Sequence, residues 1–257
     1  TPFVKKQLRM QPISLAEIEV FVEANIPAFH QNRIEKLKRL KLKTILKRKN
    51  PYLFKVKNIT TAGDFIKTIL DAYLSSQEET LFGGFLEELA RFICHSVYGG
   101  QKSAAEGIDL ELVKDSIRYI ITIKSGPSWG NSSQISRMKD NFRKAKRILK
   151  TNILTPQHII AINGCCYGQD FHPDKGEYLK LCGQPFWAFI SGNNDLYTEI
   201  IEPLGHKAKE KNELFLHEYA KITNTFTLEF LQEFCSPEGE ILWKKLIAFN
   251  SGTASHC

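Results

Sequence analysis

The sequence predicts an α/β fold, a central mixed sheet flanked by helices and preceded by a helical N-terminal extension. Three observations predict it. Apolar residues recur at helical spacing as far as Tyr98 and then switch to strand alternation between Ile108 and Lys124. A strand–helix–strand order follows to about residue 182, and the remaining third returns to helical spacing. The 257 residues are 42% hydrophobic and 25% charged, which is enough apolar mass for a core without staples.

Taken in order, Ser14 and Glu17 have capping-box spacing ahead of Phe21 and Val22, so a helix starts there and Pro27 is expected to break or kink it. A second helix carries Ile34, Leu37, Leu42, Ile45 and Leu46 beneath a row of bases. Asn50-Pro51 ends it and divides a basic helical extension (1–50) from the main domain (51–257). From Thr61 the residues Ala62, Phe65, Ile66, Ile69, Leu70, Tyr73 and Leu74 share one helical face, and Ser75-Ser76 is expected to stop it. A further helix runs to Gly99-Gly100. It is interrupted by Gly83-Gly84, which suit either a close approach or plain helix packing.

Residues 108–113 and 117–124 read as two strands of a hairpin turning at Lys114-Asp115-Ser116. A polar loop, Ser125 to Gly130, leads to a helix starting near Asn131-Ser132-Ser133 that buries Ile135, Met138, Phe142, Ala145 and Leu149. Strands follow at 157–163 and near 178–182, with Phe186-Trp187 assigned to the core.

The formal charge of +7 is unevenly placed. Residues 33–50 carry nine bases against Glu35, and residues 137–150 carry seven against Asp140, so these stretches hold +8 and +6 and the rest of the chain nets −7. That pattern suits a polyanionic partner and equally suits two solvated helix faces. No apolar run approaches the ~18 residues of a membrane span. Thr1 to Lys5 lacks the apolar core of a secretory signal, so a cytoplasmic chain is expected. The six cysteines form no C-x-x-C pair and are expected to be buried, reduced thiols.

Strand alternation puts Asp109 with Glu111 and Thr122 with Lys124, and Glu87 precedes them on a core helix. An acid on one strand with x-Lys closing the next is the spacing of the PD-(D/E)xK nuclease core. The chemistry explains the residue types. Carboxylates hold Mg²⁺, which polarises a phosphate and lowers the pKa of a bound water, while a lysine stabilises the charge that builds on the phosphoryl oxygens. The spacing by itself is a short motif shared with many surface hairpins.

Longer blocks occur in order along the chain: Asn50 to Phe54, Asn58 to Thr61, Glu78 to Glu87, Gly107 to Glu111, Lys124 to Ser133, Phe186 to Asn193 and Phe249 to Gly252. Together they resemble the PmeII-like family of type II restriction endonucleases over most of the chain from about Asn50. The Lys124-Ser-Gly-Pro block is the most specific piece. The resemblance implies a PD-(D/E)xK fold and Mg²⁺-dependent, site-specific cleavage of double-stranded DNA. It further implies a bacterial or archaeal host with a cognate methyltransferase and no membrane association. A homodimer is expected, because a two-fold dimer matches a palindromic site. The resemblance places Glu87, Asp109 and Lys124 in the active site.

The usual second acid, two positions before the lysine, is Thr122 here. Glu87, Glu111 or Asp140 is left to supply it, with Glu87 favoured and the backbone carbonyl of Ile123 as a further metal donor. Ser125, Trp129, Asn131, Ser132, Ser133, Gln134 and Arg137 are the candidate DNA-binding residues. The local reading of Asn131 to Gln134 is a helix cap and first turn, and Trp129 equally suits covering the loop. Base readout falls to Arg137, Asn193 or Asn194, unranked. The competing reading is a non-catalytic or nonspecific DNA-binding protein with a degenerate nuclease core.

Overall fold

The computed structural model describes residues 12–151 and 158–253. Two compact units make up the chain. One holds residues up to Ile26 together with Phe82–His206, and the other holds Pro27–Leu81 together with the chain from Lys207.

The first unit is built on a four-stranded sheet in the order β1 (Leu110–Lys114), β2 (Ile117–Lys124), β3 (Ile159–Cys165), β4 (Leu179–Cys182). β1 and β2 are antiparallel, whereas β2–β3 and β3–β4 are parallel, so the sheet is mixed as expected. The hairpin turns at Asp115-Ser116, whose φ values of 51° and 62° are the left-handed pair of a two-residue turn matched to strand twist. The predicted start of β3 at residue 157 lies outside the described residues.

Between β2 and β3 runs α1 (Ser132–Thr151), whose Met138, Phe142 and Ala145 pack on Ile108, Ile120, Ile159, Ala161 and Tyr178 on one sheet face. Its N-terminus is closed by a reciprocal box. The Gln134 N–H donates to Asn131 Oδ1 at 3.0 Å and the Asn131 N–H donates to Gln134 Oε1 at 2.9 Å. On the opposite sheet face the Tyr119 ring meets Phe189 at 4.9 Å, and the Trp187 indole donates to the Cys166 carbonyl at 2.7 Å. Both aromatics belong to α2 (Gln184–Ser191), and Phe186 and Trp187 are fully buried, the core role expected of them.

Two long helices contribute to both units, and both differ from the sequence expectation. α3 (Leu15–Lys38) opens with the predicted box, the Ser14 N–H donating to Glu17 Oε2 at 2.9 Å, but it runs through Pro27. Pro27 lies on the exposed side, where the Glu23 carbonyl it leaves without a helical donor faces solvent. α4 (Ala62–Tyr98) likewise runs through Ser75-Ser76 without a stop. The Ser76 and Thr80 hydroxyls bond back to the carbonyls of Ala72 (3.4 Å) and Ser76 (3.0 Å), so both are satisfied within the helix at only a slight cost to it.

The second unit is all helical: α5 (Leu42–Arg48), α6 (Pro51–Val56), α7 (Ala208–Phe234) and α8 (Trp243–Ser251), with parts of α3 and α4. Asn50 caps α6 by accepting from the Tyr52 N–H at 3.0 Å, and Pro51 opens it. The helices on either side of Asn50-Pro51 therefore belong to one unit. The predicted single helix over 34–46 is divided at Arg39–Lys41, so its apolar residues come from α3 and α5. The core stacks Phe65 on Phe230 at 4.6 Å, with Phe54 edge-on to Phe65 at 5.4 Å. Between Ile190 and Lys207 two single turns, Leu196–Glu199 and Ile201–Leu204, complete the helical C-terminal third.

Cys94, Cys165, Cys166 and Cys182 are buried and Cys235 is half-buried, all as free thiols; Cys257 lies outside the described residues. Among the described residues no helix is long and apolar enough to cross a membrane.

Candidate active site

The site lies in the first unit, where β2 ends and β1 begins. Asp109 stands just before β1. Its own N–H donates to the Ile121 carbonyl at 2.9 Å, and its Oδ2 accepts from the Ile123 N–H at 2.7 Å. A side-chain carboxylate thus occupies the place of the next ladder acceptor, which fixes its direction at the sheet margin. Backbone groups of alternate strand residues point to the same side, so the Ile123 carbonyl opens toward Asp109 as well. Lys124 closes β2 with its Nζ 5.4 Å from the centre of the Trp129 ring.

Glu87, half-buried on α4, completes the group. Burial, then the Asp109 charge, push its carboxyl above the usual range, while Arg91 and Lys124 pull in the opposite direction. Arg91 Nη1 lies 3.1 Å from Glu87 Oε1, one helical turn away. Asp109 and Lys124 are therefore close enough for their charges to act on the Glu87 carboxyl.

The helix carrying Glu87 approaches the β2 end through Gly83. A Cβ there would lie 3.3 Å from Ser125 Cβ, whereas one at Gly84 would meet nothing within 4 Å. The two neighbouring glycines have different reasons. Gly84→Ala should stabilise the protein by about 0.5–1 kcal/mol through helix propensity, raising Tm by about 1–4 °C. Gly83→Val should instead push Ser125 and the adjoining Lys124 outward. Thermal melts alongside cleavage assays separate the two, and an equal gain from both variants would refute the close-approach role.

Thr122 is 2% exposed and turned into the sheet–α1 core. Its hydroxyl accepts from Asn163 Nδ2 at 3.2 Å and donates to Met138 Sδ at 3.5 Å. Asn163, 1% exposed, in turn accepts from the Trp129 indole at 3.0 Å through Oδ1. Glu111 is also engaged elsewhere. Its carboxylate accepts from the Ser103 hydroxyl and lies 3.7 Å from Arg118, while its backbone bridges Gln101. Asp140 is held by Arg143 at 2.9 Å on the exposed face of α1. Of the three acids considered for the vacant motif position, Glu111 and Asp140 are paired elsewhere, whereas the Glu87 carboxyl feels the charges of Asp109 and Lys124. Among the described residues no cluster of three or more His, Cys, Asp or Glu side chains converges.

The other candidate residues are placed as follows. Asn131 and Gln134 are joined in the α1 cap, and Ser132 and Ser133 are exposed on its first turn. Arg137, exposed and 3.5 Å from Glu106, lines an open groove of about 460 Å³ with Ser133, Ser136, Asp140, Asn141 and Lys144. Ser125 sits against Gly83, and Asn193 donates to Glu199 at 2.7 Å. The Asn194 carbonyl accepts from Gln184 at 3.1 Å.

Much of the basic stretch 33–50 is tied within its own unit. Arg33 pairs with Glu78 at 2.7 Å and lies over the Phe215 ring, Lys43 pairs with Glu233 at 2.8 Å, and Lys49 donates to the Ala72 carbonyl at 2.7 Å. On α1, Arg143 likewise forks onto Glu177 at 2.6 and 2.8 Å, and Lys139 lies 3.4 Å from the same carboxylate.

Residues 16–212 match the family model described as Type II restriction endonuclease EcoO109I. The chain belongs to this family. The match covers the whole of the first unit from residue 16, the sheet, the Glu87 helix and Lys124 included. No curated protein matches the chain. The mixed sheet flanked by helices, with a helical N-terminus, is the restriction-endonuclease-like α/β fold expected of the sequence, and type II restriction endonuclease is the function that membership supports. DNA is the partner such an enzyme requires. Sequence reasoning missed Asn163 and Arg91. A lone amide inside the otherwise apolar run Ile159 to Cys166 was the available signal for Asn163, because a polar side chain in a buried strand needs partners.

Proposed function

We propose that this endonuclease hydrolyses phosphodiester bonds at a defined site in double-stranded DNA with Mg²⁺ as cofactor. The carrying observation is the grouping of the Glu87 and Asp109 carboxyls with the Lys124 ammonium at the end of β2. The residues suit the metal. Mg²⁺ is held by one or two carboxylates plus waters and substrate phosphate oxygens, so a third acid is not required. Asp109 and Glu87 are the ligands, with the Ile123 carbonyl as an additional oxygen donor. Burial first and the facing Asp109 charge second raise the Glu87 titration, and a bound cation would offset both.

When bound, Mg²⁺ supplies Lewis-acid polarisation of the phosphate and acidification of a water. The Ile123 N–H holds Asp109 in one orientation, so no reorganisation is needed as substrate arrives. Lys124 orients the attacking water and donates to the phosphoryl oxygens as their charge grows. Thr122 takes no part in metal binding, because its hydroxyl is engaged in the core. Ser132, Ser133 and Arg137, at the start of α1 and along its exposed face, contact the DNA backbone. The ordered blocks from Asn50 onward favour kinship with PmeII-like enzymes inside the type II group. A two-fold homodimer on a palindromic site is the simplest assembly.

Incubation with mixed plasmid and phage DNA tests the reading. Discrete fragments with Mg²⁺ and none with chelator are expected. A smear would indicate a nuclease without sequence preference, and intact but retarded DNA a binding protein; either overturns site-specific cleavage.

A further inference from the structure

We infer that Trp129, locked in place by Asn163 and Thr122, is a positioning residue that holds the Lys124 ammonium for the reaction. The inference rests on the nuclease reading above and adds to it the question of how a flexible lysine is aimed. Lys124 has four rotatable bonds between its backbone and its charge, and Asp109 and Glu87 lie on other segments of the chain. The Trp129 ring face, 5.4 Å from Nζ, gives the ammonium a seat on π-electron density.

The ring is itself fixed from beneath. Asn163 is 1% exposed and uses both ends of its amide, Oδ1 accepting from the Trp129 indole at 3.0 Å and Nδ2 donating to Thr122 at 3.2 Å. Thr122 then donates to Met138 on α1 at 3.5 Å. A buried amide satisfied at both ends orients whatever it bonds, since any rotation leaves a buried polar group unpaired. Thr122, where the nuclease pattern has an acid, is thus the anchor of the Lys124 support and not a vacated ligand position.

Two variants and two readouts test this. In protein reductively methylated with ¹³C, the Lys124 methyl resonance, identified by its loss in Lys124→Arg, should be shifted upfield by the indole ring current. Trp129→Leu should return it to the position of exposed lysines, and Trp129→Phe should leave a partial shift. In steady-state cleavage Trp129→Leu should lower kcat by about 10- to 100-fold, since misplacing a reacting group by about 1 Å costs that much, with DNA affinity unchanged. Trp129→Phe should recover part of the loss. A folded Trp129→Leu with an unmoved resonance, or with undiminished kcat, overturns the positioning role alone. A loss confined to DNA affinity makes Trp129 a DNA contact and also overturns it. Wild-type protein that cuts no DNA overturns the nuclease reading and this role with it.

Discussion

Lys124→Ala is expected to bind DNA and leave it uncut, with kcat at least about 10³-fold below wild type. Removing one preorganised donor to a developing oxyanion costs about 10²–10³ in rate, and Lys124 also orients the attacking water. Affinity should survive because the phosphate backbone is gripped by many side chains, of which this is one. The slope of log affinity against log salt should fall by about 1. The comparison is made at saturating DNA, with binding followed in chelator so that cleavage does not interfere. Lys124→Arg should be nearly as inactive. The guanidinium can stack on the Trp129 ring, but it spreads its charge and donors over a planar fork and so does not place them where the ammonium does. Cleavage by Lys124→Ala at more than a tenth of the wild-type rate would remove this residue from the active site.

Glu87→Gln is expected to abolish cutting while making the metal-free protein more stable at neutral pH. The Glu87 carboxyl titrates above its ordinary range because it is half-buried and faces Asp109. A folded-state pKa above the unfolded one means that the folded chain holds the proton more tightly. Ionised Glu87 is therefore a cost to the fold at pH 7, and that cost fades as pH drops through the raised value toward 4.5. Glutamine removes the charge but keeps the shape, and loses only an Arg91 pair worth about 0.3–0.5 kcal/mol. The melting temperature should exceed wild type by about 1–3 °C at pH 7 to 8, and the two curves should merge near pH 4. Glu111→Gln should behave oppositely, keeping cleavage while losing stability, because its carboxylate binds Ser103 and Arg118. Normal cleavage by Glu87→Gln with none by Glu111→Gln would transfer the metal role to Glu111.

The site was partly legible before the fold was known. Asp109, Lys124 and the hairpin that joins them follow from strand alternation and a two-residue turn, both local properties. Glu87 came from the order of residue blocks, and nothing local distinguishes it from Glu88 beside it. Pro27 and Ser75-Ser76 predict helix stops that the fold does not make. Propensity treats these residues as breakers, whereas long helices with buried faces tolerate an exposed proline and back-bonded hydroxyls.

The two basic stretches, +8 and +6 on an otherwise acidic chain, also changed meaning in three dimensions, since Arg33, Lys43, Lys49 and Arg143 pair within their own units. The sequence by itself determined the class of fold, the strand pair and the acid–lysine spacing, because periodicity and turn chemistry are set by neighbours in the chain. Only the tertiary structure decided that the Glu87 carboxyl feels the Asp109 charge, while Glu111 is tied to Ser103 and Asp140 to Arg143. It also decided that Thr122 faces Asn163 in the core. Those outcomes depend on which side chains, separated by 22 to 41 residues, burial forces to share one set of charges and hydrogen bonds.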